Sequence, residues 1–266
     1  ERVEVFNNFP YPLGYFLPSI GDLNDDQKPD FMINGVVDFI GNRNMVYLQN
    51  TGQSFEEVTG DTVGLRKLVP ESLFVPELVD LDGDGDLDVL MSGFDPAFAE
   101  EDGPDVPHYY YARNVGTKSE PDFQSWYSNP YELAPHPFIE LLTSGDIDND
   151  GDIDVAGVTM GIPDDSLNYL YIHLNTPGAN QRPSFSTTLQ SPFGLPVGIG
   201  MQQLLFPKFV DMDTDGDLDL FVFQGDPQNT LLAYYENHQC VTITTQVSVD
   251  LCEGDAVEVG DSTYTE

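Results

Sequence analysis

The residues most able to do chemistry stand in one short run, Asp80-Leu-Asp-Gly-Asp-Gly-Asp-Leu-Asp88, with five aspartates in nine positions and no basic residue among them. Two carboxylates about 4 Å apart repel by about 4 kcal/mol at an effective dielectric of 20. A loop so built calls for a positive partner. The spacing D-x-[DN]-x-[DN]-G-x-x-D suggests which one. Side-chain oxygens at positions 1, 3, 5 and 9, with the backbone carbonyl of position 7, can wrap a single hard cation. Glycine at position 6 lets the chain reverse through a positive φ.

The same pattern returns three times, in loops that begin at Asp22, Asp146 and Asp211, at spacings of 58, 66 and 65 residues. The expected ligands in the second loop are Asp80, Asp82, Asp84 and Asp88 with the Asp86 carbonyl. In the third they are Asp146, Asp148, Asp150 and Asp154 with the Asp152 carbonyl. In the fourth they are Asp211, Asp213, Asp215 and Asp219 with the Asp217 carbonyl. The first loop keeps the oxygens of Asp22, Asn24, Asp26 and Asp30 and the Lys28 carbonyl, but Gln27 replaces the glycine and Lys28 adds a cation. Three strong sites and one weaker site are expected. All-oxygen ligands without His or Cys favour Ca²⁺ over zinc or copper, and Mg²⁺ gives up its water reluctantly. An EF-hand is excluded, because its bidentate Glu at position 12 is replaced by Ile33, Met91, Gly157 or Val222.

The elements that must position these loops also repeat. A strand such as "LFVPELV" enters the loop, and a nearly continuous apolar run such as "LDVLMSGF" or "LDLFVFQG" leaves it. A third strand ends at a marker asparagine, in Tyr47-Leu-Gln-Asn50, Tyr111-Ala-Arg-Asn114, Ile172-His-Leu-Asn175 and Tyr235-Glu-Asn237. A fourth opens at Phe55, Phe123 or Phe185. Apolar runs of this length between Gly, Pro and Asp fit buried strands. Position 8 of the complete loops is Leu87, Ile153 or Leu218, an apolar pin onto the core. A four-stranded unit of this size cannot bury both faces alone, so copies must stack, and radial stacking gives a β-propeller.

The expected fold is therefore all-β, a propeller of four-stranded blades with metal loops between strands one and two. About four blades lie over residues 1–238, and residues 239–266 begin a further β module. Residues 1–13 resemble a fourth strand and its exit. They either complete the last blade of a four-bladed ring or follow earlier blades of a larger one, and the larger ring is favoured because four blades are few.

These residues resemble the FG-GAP or VCBS repeat propellers, which include the amino-terminal propeller of integrin α chains. The resemblance covers about residues 1–238. It implies Ca²⁺ between strands one and two of each blade, at the positions named, and an extracellular setting. The stretch from Cys240 is similar to the start of a repeat in large secreted bacterial surface proteins.

Composition narrows the function. A net charge of −37, from 46 acidic against 9 basic residues, speaks against nucleic acid and anionic membrane surfaces as partners. No apolar run approaches a membrane span. Two cysteines, Cys240 and Cys252, permit a disulfide without demanding one. The chain lacks GxSxG, HExxH and GxxxxGK[ST], and His108, His136, His173 and His238 are scattered and read as ordinary strand or loop residues. The metal reads as structural. The first reading is an adhesion, ligand-binding or spacer module that meets a protein or glycan. The alternative is a propeller within a secreted polysaccharide-degrading enzyme of lyase type. Long loops on rigid scaffolds carry recognition, and the expected partner surface is the loop with Phe98, Glu100, Glu101, Asp102 and Asp105.

Overall fold

A computed structural model of the protein describes residues 17–36, 43–58, 64, 75–93, 108–124, 127–133, 140–159, 167–177, 182–190, 199–200, 204–225, 230–237, 256–259 and 262–265. The chain is all-β, with four antiparallel sheets that follow the four sequence repeats. The first contains β1 (Leu17–Gly21), β2 (Asp30–Val36), β3 (Arg43–Asn50) and β4 (Phe55–Val58) in chain order. The second contains β5 (Val75–Val79), β6 (Asp88–Gly93), β7 (His108–Ala112) and β8 (Tyr127–Ser128). In the third sheet β9 (Glu140–Gly145) pairs with β10 (Asp154–Thr159). A short β11 (Leu167–Asn168) leaves it to pair elsewhere, and β12 (Leu170–Leu174) and β13 (Thr187–Gln190) complete it. The partner of β11 is β14 (Ile199–Gly200). The fourth sheet has three described strands, β15 (Leu204–Val210), β16 (Asp219–Gly225) and β17 (Thr230–Tyr235). A separate hairpin, β18 (Ala256–Val259) with β19 (Ser262–Thr265), follows. The amino-terminal segment expected to complete a sheet lies outside the described residues, as do Cys240 and Cys252.

The larger core clusters lie between sheets, and a smaller one, Ile33, Val46 and Leu48, lies within the first. Leu23, Met32 and Tyr47 of the first repeat pack with Leu78, Val89, Met91 and Tyr110 of the second. Val79, Leu90 and Tyr111 of the second pack with Leu142, Val155 and Phe185 of the third. Val158 and Ile172 of the third meet Leu220 and Val222 of the fourth. This explains why second strands read as unbroken apolar runs: every residue of β6 and of β10 is buried. A strand covered on both faces has no solvent side to alternate with.

First strands lie side by side, β1 by β5, β5 by β9 and β9 by β15. The junctions share two devices. At the first and third, the pin of one acidic loop seats on a glycine of the preceding sheet, whereas at the second Ile153 packs against a cluster that contains Val79. A Cβ built on Gly21 would meet Leu87 Cδ1 at 2.7 Å, and one on Gly145 would collide with Leu218 Cδ1. The residue three before each loop is polar, and it hydrogen-bonds across the junction. Ser19 Oγ accepts from the Leu78 N–H at 2.9 Å, and Thr143 Oγ1 accepts from the Phe209 N–H at 3.4 Å. In the second repeat that position is Glu77, which gathers Ser19, Ser144 and Lys208. Lys208 Nζ stands 2.8 Å from its carboxylate, so sheets one to four all reach this one buried side chain.

A second buried polar cluster joins sheets two and three. The Tyr109 hydroxyl donates to Glu140 Oε2 at 2.6 Å and lies 2.9 Å from His173 Nε2, which is left to donate to it. His173 Nδ1 is 3.0 Å from Thr188 Oγ1. The other Glu140 oxygen, Oε1, has no hydrogen-bond partner among the described residues. Glycine at position 157 makes room, since a Cβ there would strike Glu140. Tyr109→Phe would strip a carboxylate that already has one unsatisfied oxygen. Such a loss costs about 1–3 kcal/mol. Urea unfolding should show that loss at an unchanged m-value, and a change under about 0.5 kcal/mol would reject the role given to this cluster.

Candidate metal centre

Loops one to three are each closed by their own first carboxylate. Asp22 Oδ2 accepts from the Gln27 N–H at 2.7 Å, Asp80 Oδ2 from Gly85 at 2.9 Å and Asp146 Oδ2 from Gly151 at 3.0 Å. The fifth position then accepts from the backbone of the seventh, as Asp26 from Lys28, Asp84 from Asp86, Asp150 from Asp152 and Asp215 from Asp217. The sixth residue is left-handed throughout, with φ of 93° at Gly85, 96° at Gly151, 99° at Gly216 and 63° at Gln27. The sequence signals that bend. It does not signal the second left-handed residue, at position 4, which is Asp25, Gly83, Asn149 or Thr214.

The ninth residue is the anchor. Asp30, Asp88, Asp154 and Asp219 are all buried. Their Oδ2 atoms accept from the N–H of loop position 2 at Leu23, Leu81, Ile147 and Met212. Their Oδ1 atoms accept from the N–H of the marker asparagine, at Asn50, Asn114, Asn175 and Asn237. That asparagine amide donates to the carbonyl of position 8 in three loops, at Pro29, Ile153 and Leu218. The marker tyrosine completes the grip. Tyr47 and Tyr111 donate to Asp30 and Asp88, and Tyr234, not Tyr235, does so for Asp219. The third repeat has Ile172 there and lacks this bond.

The expected ligands converge unevenly. Carboxylate oxygens of Asp80, Asp82 and Asp88 lie within 4.8 Å of one another, as do those of Asp146, Asp148 and Asp154 and those of Asp211, Asp213 and Asp215. Asp84 stands outside the first of these groups, where Arg113 Nη2 holds its Oδ2 at 2.7 Å. Loop one forms no such acidic group among the described residues, and Lys28 Nζ lies 2.9 Å from Asp26 Oδ2. Neither Arg113 nor the tyrosines were legible as parts of the site. The tyrosine signal was present, since Tyr stands three before Asn in three repeats. The expected partner surface, Phe98, Glu100, Glu101, Asp102 and Asp105, lies outside the described residues.

The donor set fits a divalent cation. In loop two, Asp80 Oδ1, Asp82 Oδ1 and Asp86 Oδ1 are each buried without a hydrogen-bond partner. Three unsatisfied oxygen acceptors at one acidic loop suit a hard cation. Burial pushes the Asp88 carboxyl up to about 7 and the Asp154 carboxyl up to about 6. Burial, with Asp84 beside it, raises Asp86 to about 6. Asp84 itself is lowered: burial opposes ionisation, but the Arg113 hydrogen bond and charge together with hydrogen bonds from Asp86 outweigh it.

Residues 22–91 match the sequence model of an FG-GAP-like repeat. This segment is similar to FG-GAP-like repeats. The match runs from the first residue of loop one to the middle of β6, so the FG-GAP-like segment carries two of the four acidic loops. No curated protein matches the chain.

Two outcomes follow from this geometry. Asp88, Asp86 and Asp154 hold protons more tightly when folded, so their stabilising contribution is complete below the unfolded value near 4 and disappears as pH rises through about 6–7. In chelator the melting temperature should fall from pH 5 to pH 8; a melting temperature that rose over this range would contradict the burial of these groups. Gln27→Gly removes a left-handed non-glycine residue and should stabilise the metal-free protein by about 1 kcal/mol in urea unfolding, with no gain counting against the strain at loop one.

Proposed function

We propose that the protein is a calcium-binding β-propeller module of a secreted or cell-surface protein, serving adhesion, ligand binding or scaffolding toward a protein or glycan. The observation that carries the metal reading is the trio of partnerless buried oxygens on Asp80, Asp82 and Asp86. The propeller reading is supported by the FG-GAP-like match, by four successive antiparallel sheets, and by first strands that lie side by side in sequence order.

The ion would be held by Asp80, Asp82, Asp84 and Asp88 in loop two, and by the corresponding aspartates of loops three and four. Its chemistry there is charge neutralisation of a crowded carboxylate turn. The protein residues do the rest. The position-nine aspartate ties strand two to the end of strand three, and the pin at position 8 docks the loop on the preceding blade. All protein ligands come from one loop whose carboxylates also hold its backbone, which supports a structural role for the metal.

Extracellular calcium modules bind at about 10⁻⁴–10⁻³ M. A site filled tenfold above its Kd adds about 1.4 kcal/mol, so three such sites would raise the melting temperature by about 10 °C. Isothermal titration calorimetry should detect binding in the millimolar range, and EDTA should lower the melting temperature by that amount. Asp148→Ala should lose one equivalent of bound ion. A melting temperature indifferent to both EDTA and calcium, with no heat of binding, would refute the proposal.

A further inference from the structure

The four loops differ in where their counter-charge comes from. Arg113 immediately precedes the marker Asn114, and its guanidinium lies on loop two, with Nε 2.5 Å from Asp82 Oδ2 and Nη2 2.7 Å from Asp84 Oδ2. Lys118 adds a second cation over the same turn: a Cβ on Gly85 would stand 3.2 Å from its Nζ. In loop one Lys28 pairs with Asp26. The residues matching Arg113 in the other repeats are Gln49, Leu174 and Glu236, none of them a cation. Beyond Lys118 the sequence holds only two basic residues, Arg182 and Lys208. Arg182 lies over the Tyr131 ring and Lys208 pairs with Glu77, so neither is spent on loop three or four.

We propose that Arg113 is a resident counter-cation which weakens divalent-ion binding at loop two, so that metal dependence is graded along the chain. Among the described residues no cation is placed on loops three and four, which rely on the ion, while loops one and two carry part of the neutralising charge themselves. The inference rests on the calcium reading above. Its physical basis is competition at shared oxygens. The guanidinium already occupies the outer oxygens of Asp82 and Asp84, and an ion entering the loop meets a fixed positive charge beside it. Carboxylate oxygens of Asp80, Asp82 and Asp88 still lie within 4.8 Å of one another, so the site is weakened rather than abolished. In metal-free protein the same contacts hold loop two against the repulsion of its own aspartates.

Hydrogen exchange read by mass spectrometry, during a calcium titration of the whole chain, resolves the loops separately. Loops three and four should gain protection at lower calcium than loop two. Arg113→Gln should lower the calcium midpoint of loop two about three- to tenfold, a factor set by ion pairs of this exposure, and leave loops three and four in place. It should also speed exchange of loop two in EDTA. Arg113→Lys keeps the charge and should stay within about twofold of the wild type. An unchanged loop-two midpoint in Arg113→Gln overturns the proposal. If that variant does not fold, the wild-type order decides, and loop two saturating together with loops three and four overturns it equally. Absence of calcium-dependent protection in every loop would instead overturn the calcium reading, and this proposal with it.

Discussion

A buried carboxylate at the foot of each acidic loop is the constraint that organises this protein. Asp30, Asp88, Asp154 and Asp219 each accept a backbone bond from their own loop and another from the end of strand three. One side chain thereby fixes where strand two begins, how the loop closes and where strand three stops. Burying an ionised carboxylate is expensive unless it is paired. The hydrogen bonds meet part of that cost. A counter-charge or a proton must meet the remainder, which is why Asp88 is pushed up to about 7.

Stability and charge are coupled through packing. The three larger apolar clusters are each shared by two consecutive repeats, and only the small group of Ile33, Val46 and Leu48 belongs to one sheet among the described residues. The loop pins sit in those same clusters or on the glycines beside them. A loop that opens under self-repulsion therefore withdraws Leu87 or Ile153 from the junction with the preceding sheet. Local electrostatics thus become a property of the whole array, as in other repeat architectures where neighbours supply most of the stability. Glu77 and Lys208 extend this logic: a charge on one first strand is answered from another two repeats away.

Much of this was legible in the sequence, because the repeat is written in residue types with narrow uses. The aspartate spacing located all four loops. Glycine at position 6 located the bend, and the unbroken apolar runs located strands buried on both faces. What escaped were relations between repeats. Arg113 lies 29 residues from Asp84 in sequence, and Tyr109 lies 64 from His173. No local pattern announces such pairs. The left-handed Thr214 also escaped, because a β-branched residue at positive φ contradicts ordinary preference and is imposed by the loop around it. The fourth marker asparagine, Asn237, stands where the repeat places it, but its tyrosine is Tyr234 and not Tyr235, since two tyrosines stand together and only the register of β16 with β17 selects between them.

Long-wavelength anomalous diffraction from crystals grown in millimolar calcium addresses the central claim most directly. The account predicts an anomalous peak enclosed by the carboxylates of loops three and four, and a weaker one in loop two. Loops that kept this shape with no anomalous density in any of them would contradict it.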